Sequence, residues 1–194
     1  KLFPDIQIKV SENCSAQIVE NIVNESTDIG LFIFPEDTSK LHTIPLYEVE
    51  LVLCTSKYHR FQHKQKINVE EMKDEKIISL PDDFIQHKLM NDLCLKNGFV
   101  PNVIYKSSDI TTIKAMIKNN MGISFLTDNY LLHEHDIHTI SLDPPITLTV
   151  GLGWKKDKIL TNHTMKFISF LKNFILTHSY YKSEQFHPLL IKNN

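Results

Sequence analysis

The fold class follows from residues 76–126, which read KIISLPDDFIQHKLMNDLCLKNGFVPNVIYKSSDITTIKAMIKNNMGISFL. Short apolar runs of strand length alternate here with segments whose apolar residues recur every three or four positions, as in a helix. Gly98 follows the first helical segment, where a glycine commonly ends a helix in the left-handed conformation. The predicted elements are strands over 76–80, 103–106 and 122–126 and helices over 84–97 and from 110 onward. This alternation predicts an α/β fold with mainly parallel sheets.

Similar series flank this stretch on both sides. The predicted elements are strands over 6–10, 28–34, 49–54, 137–142 and 146–154 and helices over 18–23 and 161–175. Residues 177–194 show no clear periodicity, and we predict a tail that the core does not require. The two series, before and after about residue 75, predict two lobes.

Composition narrows the class of function. The 194 residues are 42% hydrophobic and 23% charged, which is typical of a globular protein. Lys and Arg number 21 against 23 Asp and Glu, and Arg60 is the only arginine, so a DNA-binding surface is not expected. No apolar run approaches the roughly 18 residues of a membrane span, and no signal peptide is recognised. We predict a soluble cytoplasmic domain whose Cys14, Cys54 and Cys94 are free thiols.

Several short motifs occur in the order and spacing of one protein family. They are Phe3-Pro4-Asp5-Ile6, Asp28-Ile29-Gly30-Leu31, Glu50-Leu51-Val52-Leu53 with His59 following, Gly98-Phe99-Val100-Pro101, the 109–122 helix leading into Gly122-Ile123-Ser124-Phe125-Leu126, Trp154, and Phe167-Ile168. Each motif is short, and the order of the whole set carries the resemblance. Over residues 1 to about 175 the chain resembles the effector-binding domain of LysR-type transcriptional regulators.

The resemblance implies a two-lobed, periplasmic-binding-protein-like fold of type II, with two crossover strands and a small effector in the cleft. The implied first lobe comprises residues 1–75 and 145–176, and the second comprises 76–144, with 177–194 as a tail. It also implies a homodimer or tetramer that contacts DNA only through an N-terminal helix-turn-helix domain. That domain, and the first strand and helix of the family's effector domain, have no counterpart in this sequence.

Candidate effector contacts are polar turns at strand ends and one apolar strand. Hydroxyls and free N–H groups at the start of the helix that follows Asp109 suit a carboxylate or another polar effector, although Asp109 or Ser108 could simply cap this helix. Asp82 and Asp83 would discourage an anion if both faced the ligand, and more commonly such residues favour a helix start. Residues 32–34 are equally compatible with a pocket wall and with core packing. The full candidate set is Ser107, Ser108, Thr111, Phe32, Ile33, Phe34, Ser79, Asp82, Asp83, Phe125 and Thr127.

Other classes of function are less favoured by the sequence. His133, His135 and His138, with Glu134 and Asp136, form a loop cluster that is more typical of a surface than of a metal site. No signature frames a cysteine nucleophile, and five scattered glycines do not make a phosphate loop, so neither an enzyme nor a cofactor is predicted. The leading hypothesis is an effector-sensing domain for an organic acid, an amino acid or an aromatic acid. The alternatives are a transporter's solute-binding protein and, less favoured, an α/β enzyme.

Overall fold

The computed structural model describes residues 7–35, 37–132 and 134–177. The chain forms two compact units, the first from residues up to 48 and from 149 onward, and the second from residues 49–148. Residues 49–75, which the resemblance assigns to the first lobe, therefore lie in the second unit.

The elements follow one another in the order α1, β1–β4, α2, β5, α3, β6, β7 and α4. Their bounds are α1 Ser15–Val23, β1 Gly30–Ile33, β2 Leu41–Ser56, β3 Lys66–Ile67, β4 Lys76–Ser79, α2 Ile85–Lys96, β5 Asn102–Lys106, α3 Ile110–Lys118, β6 Ser124–Thr127, β7 Ile137–Lys155 and α4 Asn162–Thr177. Short 3-10 turns occupy Val69–Met72 and Asp128–Leu131. The long strands β2 and β7 each begin in one unit and end in the other. No helix among the residues with described structure is long and apolar enough to cross a membrane.

The first unit is built on β1, β7 and β2. β1 pairs antiparallel with the last part of β7, from Gly30 opposite Gly153 to Ile33 opposite Val150, and β7 is also a neighbour of β2. Helix α1 packs on this sheet through Ile22, which is buried together with Phe32 and Leu41. The hydroxyl of Ser15 accepts a hydrogen bond from the Ile33 N–H at 3.2 Å, which fixes the start of α1 against β1.

The second unit contains three strands that run in the same direction. β4 pairs parallel with β5, and a parallel bridge between Ile77 and Ile123 joins β4 to the segment that leads into β6. β6 pairs antiparallel with β2, from Leu51 opposite Thr127 to Cys54 opposite Ser124. Apolar clusters containing α2 and α3 residues bury alternate residues of β2 and β6. Because β4, β5 and β6 run in the same direction, their carboxyl ends lie along one edge of the unit.

The prediction of an α/β fold is confirmed, but that of mainly parallel sheets holds only in part. β4–β5 and β3–β7 are parallel, whereas β1–β7 and β2–β6 are antiparallel. The apolar run over 51–54 is buried on both faces of β2, and such burial produces the same sequence pattern for either strand direction. The pattern therefore predicted the strand and not the direction of its partner.

Two local predictions also differ from the structure. The strand predicted over 6–10 is not formed in its described part, since residues 7–14 have no regular structure and Ile8 and Val10 are 60% and 78% exposed. The strands predicted over 137–142 and 146–154 form the single strand β7, because Pro144 and Pro145 occupy an exposed part of it, where a missing N–H is tolerated. Helix α4 forms as predicted, and the tail predicted after Thr177 lies outside the described residues.

Candidate functional site

The candidate site is the carboxyl edge of β4, β5 and β6, which we call the strand-end edge. It comprises residues 79–83, 107–109 and 127–129, together with Glu50 on the antiparallel strand β2. The N–H of Ser107 donates to the Ser79 carbonyl at 3.0 Å, which ties the first two turns together. Polar groups that are far apart in sequence therefore meet at this edge.

Asp109 caps helix α3. Its carboxylate accepts hydrogen bonds from the Thr111 N–H at 2.9 Å and the Thr112 hydroxyl at 2.7 Å, and these bonds lower the pKa of Asp109. The Ser107 hydroxyl accepts from the Asp109 N–H at 3.1 Å, so it stabilises the same turn. Ser108 is exposed, and no hydrogen bond joins its hydroxyl to any residue within the described ranges. Of the two predicted caps, the structure selects Asp109 and leaves Ser108 available to a ligand.

Replacing Asp109 by Ala should lower the melting temperature by about 2–4 °C, since an N-cap is lost while the apolar core stays intact. Asp109→Asn keeps an oxygen in the capping position and should leave the melting temperature almost unchanged. Ser108→Ala should have no effect on it. Thermal unfolding followed by circular dichroism separates these outcomes, and a larger loss in Ser108→Ala than in Asp109→Ala would contradict the assignment of the cap.

A chain of hydrogen-bonded side chains runs from β4 to β5. The Ser79 hydroxyl lies 2.8 Å from His87 Nδ1, His87 Nε2 lies 3.0 Å from Asp82 Oδ1, and Lys106 Nζ lies 2.5 Å from the same oxygen. Helix α2 supplies His87, and β5 ends on Lys106. The order serine–histidine–carboxylate resembles a nucleophile with its base and orienting acid. Ser79 is only 4% exposed, however, so its hydroxyl is closed to a substrate.

Burial keeps this histidine neutral. Removal from water lowers the pKa of His87, and this effect is larger than the opposing effect of the Asp82 carboxylate. The charge of Lys106 lowers the pKa further, and a hydrogen bond to the Leu80 carbonyl raises it by less. The hydrogen bond from Lys106 lowers the pKa of Asp82. Asp82 is therefore ionised and acts only as an acceptor, so the shared hydrogen lies on His87 Nε2. Nδ1 is then unprotonated and accepts the hydrogen of the Ser79 hydroxyl.

A second group of acceptors lies where β6 ends beside β2. Asp128 Oδ1 accepts a hydrogen bond from the Glu50 N–H at 3.1 Å. Glu50 Oε1 and Asn129 Oδ1 are buried and have no hydrogen-bond partner among the residues that the structure describes. Burial raises the pKa of Asp128, and the neighbouring Glu50 charge adds to this effect. In the described part of the chain, Glu50 Oε1 and Asn129 Oδ1 are thus left without hydrogen-bond donors, whereas the backbone N–H groups of Glu50 and Asn129 donate to the Asp128 carboxylate.

The raised pKa of Asp128 makes its contribution to folding depend on pH. The folded state holds the Asp128 proton more tightly than the unfolded state. The stabilisation that this proton gives is therefore complete below the ordinary aspartate pKa, and it is lost as the pH rises through the pKa of Asp128 in the folded state. Asp128→Asn keeps the oxygen that accepts from Glu50 and removes the charge. It should therefore be more stable than the original protein at about pH 7 and match it at about pH 4. Urea unfolding at both pH values measures this, and a variant that is less stable at neutral pH would contradict it.

The other predicted site residues occupy three kinds of environment. Phe125 and Phe32 are buried in the cores of the second and the first unit, respectively, so both serve packing. Thr127 is buried at the end of β6, whereas Asp83 and Thr111 are exposed on the second unit. Ile33 and Phe34 are half-buried in the first unit. Sequence reasoning missed His87, Lys106, Asp128 and Asn129, which lie in none of the quoted motifs, and it named Glu50 only as part of a family motif.

Glu134, Asp136 and His138 are engaged in other contacts, and His133 lies outside the described residues. Glu134 lies 3.2 Å from Lys114 and 2.7 Å from Lys118, and Asp136 lies 2.6 Å from Lys57. His138 Nε2 is 2.7 Å from the Lys64 carbonyl. Within residues 7–35, 37–132 and 134–177, no three His, Cys, Asp or Glu side chains are grouped as a metal site would require.

The three cysteines are free and buried. Burial raises the pKa of the Cys54 thiol to about 12 and that of the Cys94 thiol to about 11. A nucleophilic cysteine needs the opposite shift, because the thiolate is the reactive form. The prediction of free thiols is confirmed, and the chemistry of the two thiols is not that of a nucleophile.

Comparisons with known proteins agree on one family. The family model described as the LysR substrate binding domain matches residues 1–175. The uncharacterized HTH-type transcriptional regulator YwbI of Bacillus subtilis (strain 168) is 27% identical over 176 residues, which are 89% of this chain and 58% of that protein. A second regulator of the same organism, YybE, is 22% identical over 91% of this chain and 59% of its own length. The chain thus spans less than two thirds of these relatives.

Solved structures share the fold. The CcmR regulatory domain of Synechocystis PCC6803, in complex with 2-PG, has a TM-score of 0.80 at 21% identity, covering 89% of this chain and 85% of that one. The effector binding domain of QuiR, in complex with shikimate, has a TM-score of 0.73 at 18% identity, covering 86% of this chain and 80% of that one. At these identities the likeness concerns the fold, and it confirms the effector-domain fold expected from the motifs.

Proposed function

Because the chain belongs to the family of LysR substrate-binding domains, we propose that it is the effector-sensing part of a longer transcriptional regulator. The family match over residues 1–175 is the observation that carries this proposal. Its relatives are described as transcriptional regulators rather than enzymes, and they extend well beyond the matched region. In this proposal, a DNA-binding domain outside the present sequence contacts DNA in the cytoplasm, and the protein acts as a homodimer or tetramer.

The strand-end edge is where we propose that the effector binds. The free hydroxyl of Ser108, at an exposed turn before α3, supports this assignment. Ser79 and Ser107 hold the turn in place through the hydrogen bond between their main chains. Thr111, Asp82, Asp83 and Thr127 remain proposed contacts of this edge, whereas Phe32 and Phe125 are assigned to the cores.

The test is a thermal-shift screen of the 194-residue chain with organic acids, amino acids and aromatic acids, followed by calorimetric titration of the first compound that raises the melting temperature. Ser108→Ala combined with Thr111→Ala should weaken binding about tenfold or more, since each lost hydrogen bond weakens it by roughly 0.5–1.5 kcal/mol. Asp109→Ala, which removes the cap, should lower stability more than affinity.

Two results would count against the proposal. Unchanged affinity in the folded double variant would move the site away from the start of α3. A screen in which no compound raises the melting temperature would contradict effector sensing by this chain, because a ligand that binds the folded state must stabilise it.

A further inference from the structure

We propose that one side of helix α4 binds residues 178–194, the last segment of this chain. The contact surface on α4 is a row of three phenylalanines, Phe167, Phe170 and Phe174, which we call the aromatic ridge. The proposal joins two observations. The ridge is exposed on the first unit, and the residues that follow α4 are rich in apolar side chains although the family match ends at residue 175.

The aromatic ridge lies beside the side of α4 that packs into the first unit. Ile168 and Ile175 are buried and anchor the helix. The ridge residues are three and four positions apart, so their rings follow one another along the helix surface. The ring centroids of Phe167 and Phe170 are 6.5 Å apart, and those of Phe170 and Phe174 are 5.9 Å apart. Even with these mutual contacts, Phe170 is 43% exposed and Phe174 is 38% exposed.

A continuous row of partly exposed rings indicates a contact surface. Single exposed apolar side chains are common on proteins, whereas a contiguous apolar patch typically marks the place where another segment or molecule binds. Aromatic rings bury a large area on contact, and tilted packing against other rings adds to the attraction. The aromatic ridge therefore favours a partner that offers aromatic and aliphatic side chains.

The last segment of the chain offers such side chains. Residues 178–194 lie outside the described residues, and their sequence is HSYYKSEQFHPLLIKNN. It contains Tyr180, Tyr181, Phe186 and the Leu-Leu-Ile run over 189–191. Segments that bury none of their surface are typically poor in aromatic and branched side chains, so this composition suits contact with an apolar surface. Because the family match covers residues 1–175, this contact would be an addition to the domain that the family shares.

The covalent connection favours this segment over a second copy of the chain. The segment begins directly after Thr177, where α4 ends, and Phe174 and Phe167 lie roughly 5 and 15 Å before that end along the helix axis. Since an extended chain spans about 3.3 Å per residue, 17 residues are enough to run back along the whole ridge. A segment tethered this closely acts at an effective concentration of about millimolar, well above that of a second copy in dilute solution.

Cleavage by chymotrypsin after Tyr181, followed by mass spectrometry, measures whether the segment is bound. The free peptide of residues 178–194 gives the rate without docking, and the 194-residue chain should be cleaved at least about fivefold more slowly. Phe170→Ser should remove most of this protection. Met165→Ser is the matched control, because Met165 is 54% exposed on the same helix and lies about 140° around it from Phe170, and it should change the rate less than about twofold.

Phe186→Ser tests the other partner without altering α4. It should speed cleavage after Tyr181 in the full chain by about the same factor as Phe170→Ser, and the free peptide with the same substitution corrects for any effect on the protease itself. Combining the two substitutions should add little, because both remove the same contact. If Phe170→Ser unfolds the helix, as circular dichroism would show, Phe186→Ser alone decides the question. Two effects that multiply independently would mean that the segment does not bind the ridge.

The concentration dependence identifies the occupant. Docking within one chain makes the cleavage rate independent of protein concentration. Protection that grows with concentration, together with a dimer in sedimentation, would assign the aromatic ridge to a second copy and overturn the proposal. Equal cleavage rates in the chain and the free peptide would overturn it as well, as would equal effects of Phe170→Ser and Met165→Ser.

Discussion

Ile78→Ala should lower the free energy of unfolding by about 2–5 kcal/mol. Ile78 is fully buried on β4, in a cluster that includes Ile113 and Ile117 of α3 and Leu126 of β6. Truncation removes apolar contacts and leaves a cavity between a sheet and a helix that both support the strand-end edge. Because natural domains are stable by about 5–15 kcal/mol, the loss should be visible as a large fall in the urea midpoint.

Ile159→Ala is the matched control, since it makes the same chemical change at a side chain that is 93% exposed. Its free energy of unfolding should stay within about 0.5 kcal/mol of the original value. Both variants are measured by urea unfolding at constant pH. A loss below about 1 kcal/mol in Ile78→Ala would mean that this position is not the close-packed core site described above.

Much of the fold could be predicted because its signals are local. Helices α1, α2, α3 and α4 all form where apolar spacing predicted them, and Gly98 has a φ of 79° immediately after α2, as the proposed helix end requires. The direction of a neighbouring strand, by contrast, is not determined by local sequence. The apolar run over 51–54 is buried on both faces, so its residues carry no information about whether β6 lies parallel or antiparallel to it.

The candidate site likewise contains contacts that local sequence predicts and contacts that depend on packing between distant residues. The cap at Asp109 follows from a short sequence pattern, and the structure places the carboxylate where that pattern predicts. The contact of His87 with Ser79 depends on how α2 packs back on β4, and the pairing of Glu50 with Asp128 joins residues 78 positions apart. Such contacts are set by strand register and packing, which a single sequence does not display.

Gly122→Ala should destabilise the second unit by about 1–3 kcal/mol, because the added methyl group has no room. A Cβ at Gly122 would lie 2.6 Å from the Lys76 carbonyl oxygen and 3.2 Å from Ile78 Cδ1. That carbonyl accepts the Ile123 N–H at 2.9 Å, one of the bonds that hold β4 beside the segment leading into β6. The backbone cannot yield without loosening this bond, and the urea midpoint should fall accordingly.

Combining Gly122→Ala with Ile78→Val identifies which contact is responsible. Ile78→Val alone removes Cδ1 and should destabilise by about 0.5–1.5 kcal/mol. If the contact with Ile78 Cδ1 caused the strain, the valine would relieve part of it, since Cγ1 lies at the same 3.2 Å, and the double variant would be more stable than the sum of the two losses predicts. We expect the two losses to add, because the Lys76 carbonyl remains in place when Cδ1 is removed. A double variant more stable than this sum would instead assign the strain to the contact with the Ile78 side chain, and the parallel bridge between Ile77 and Ile123 would then be intact in Gly122→Ala.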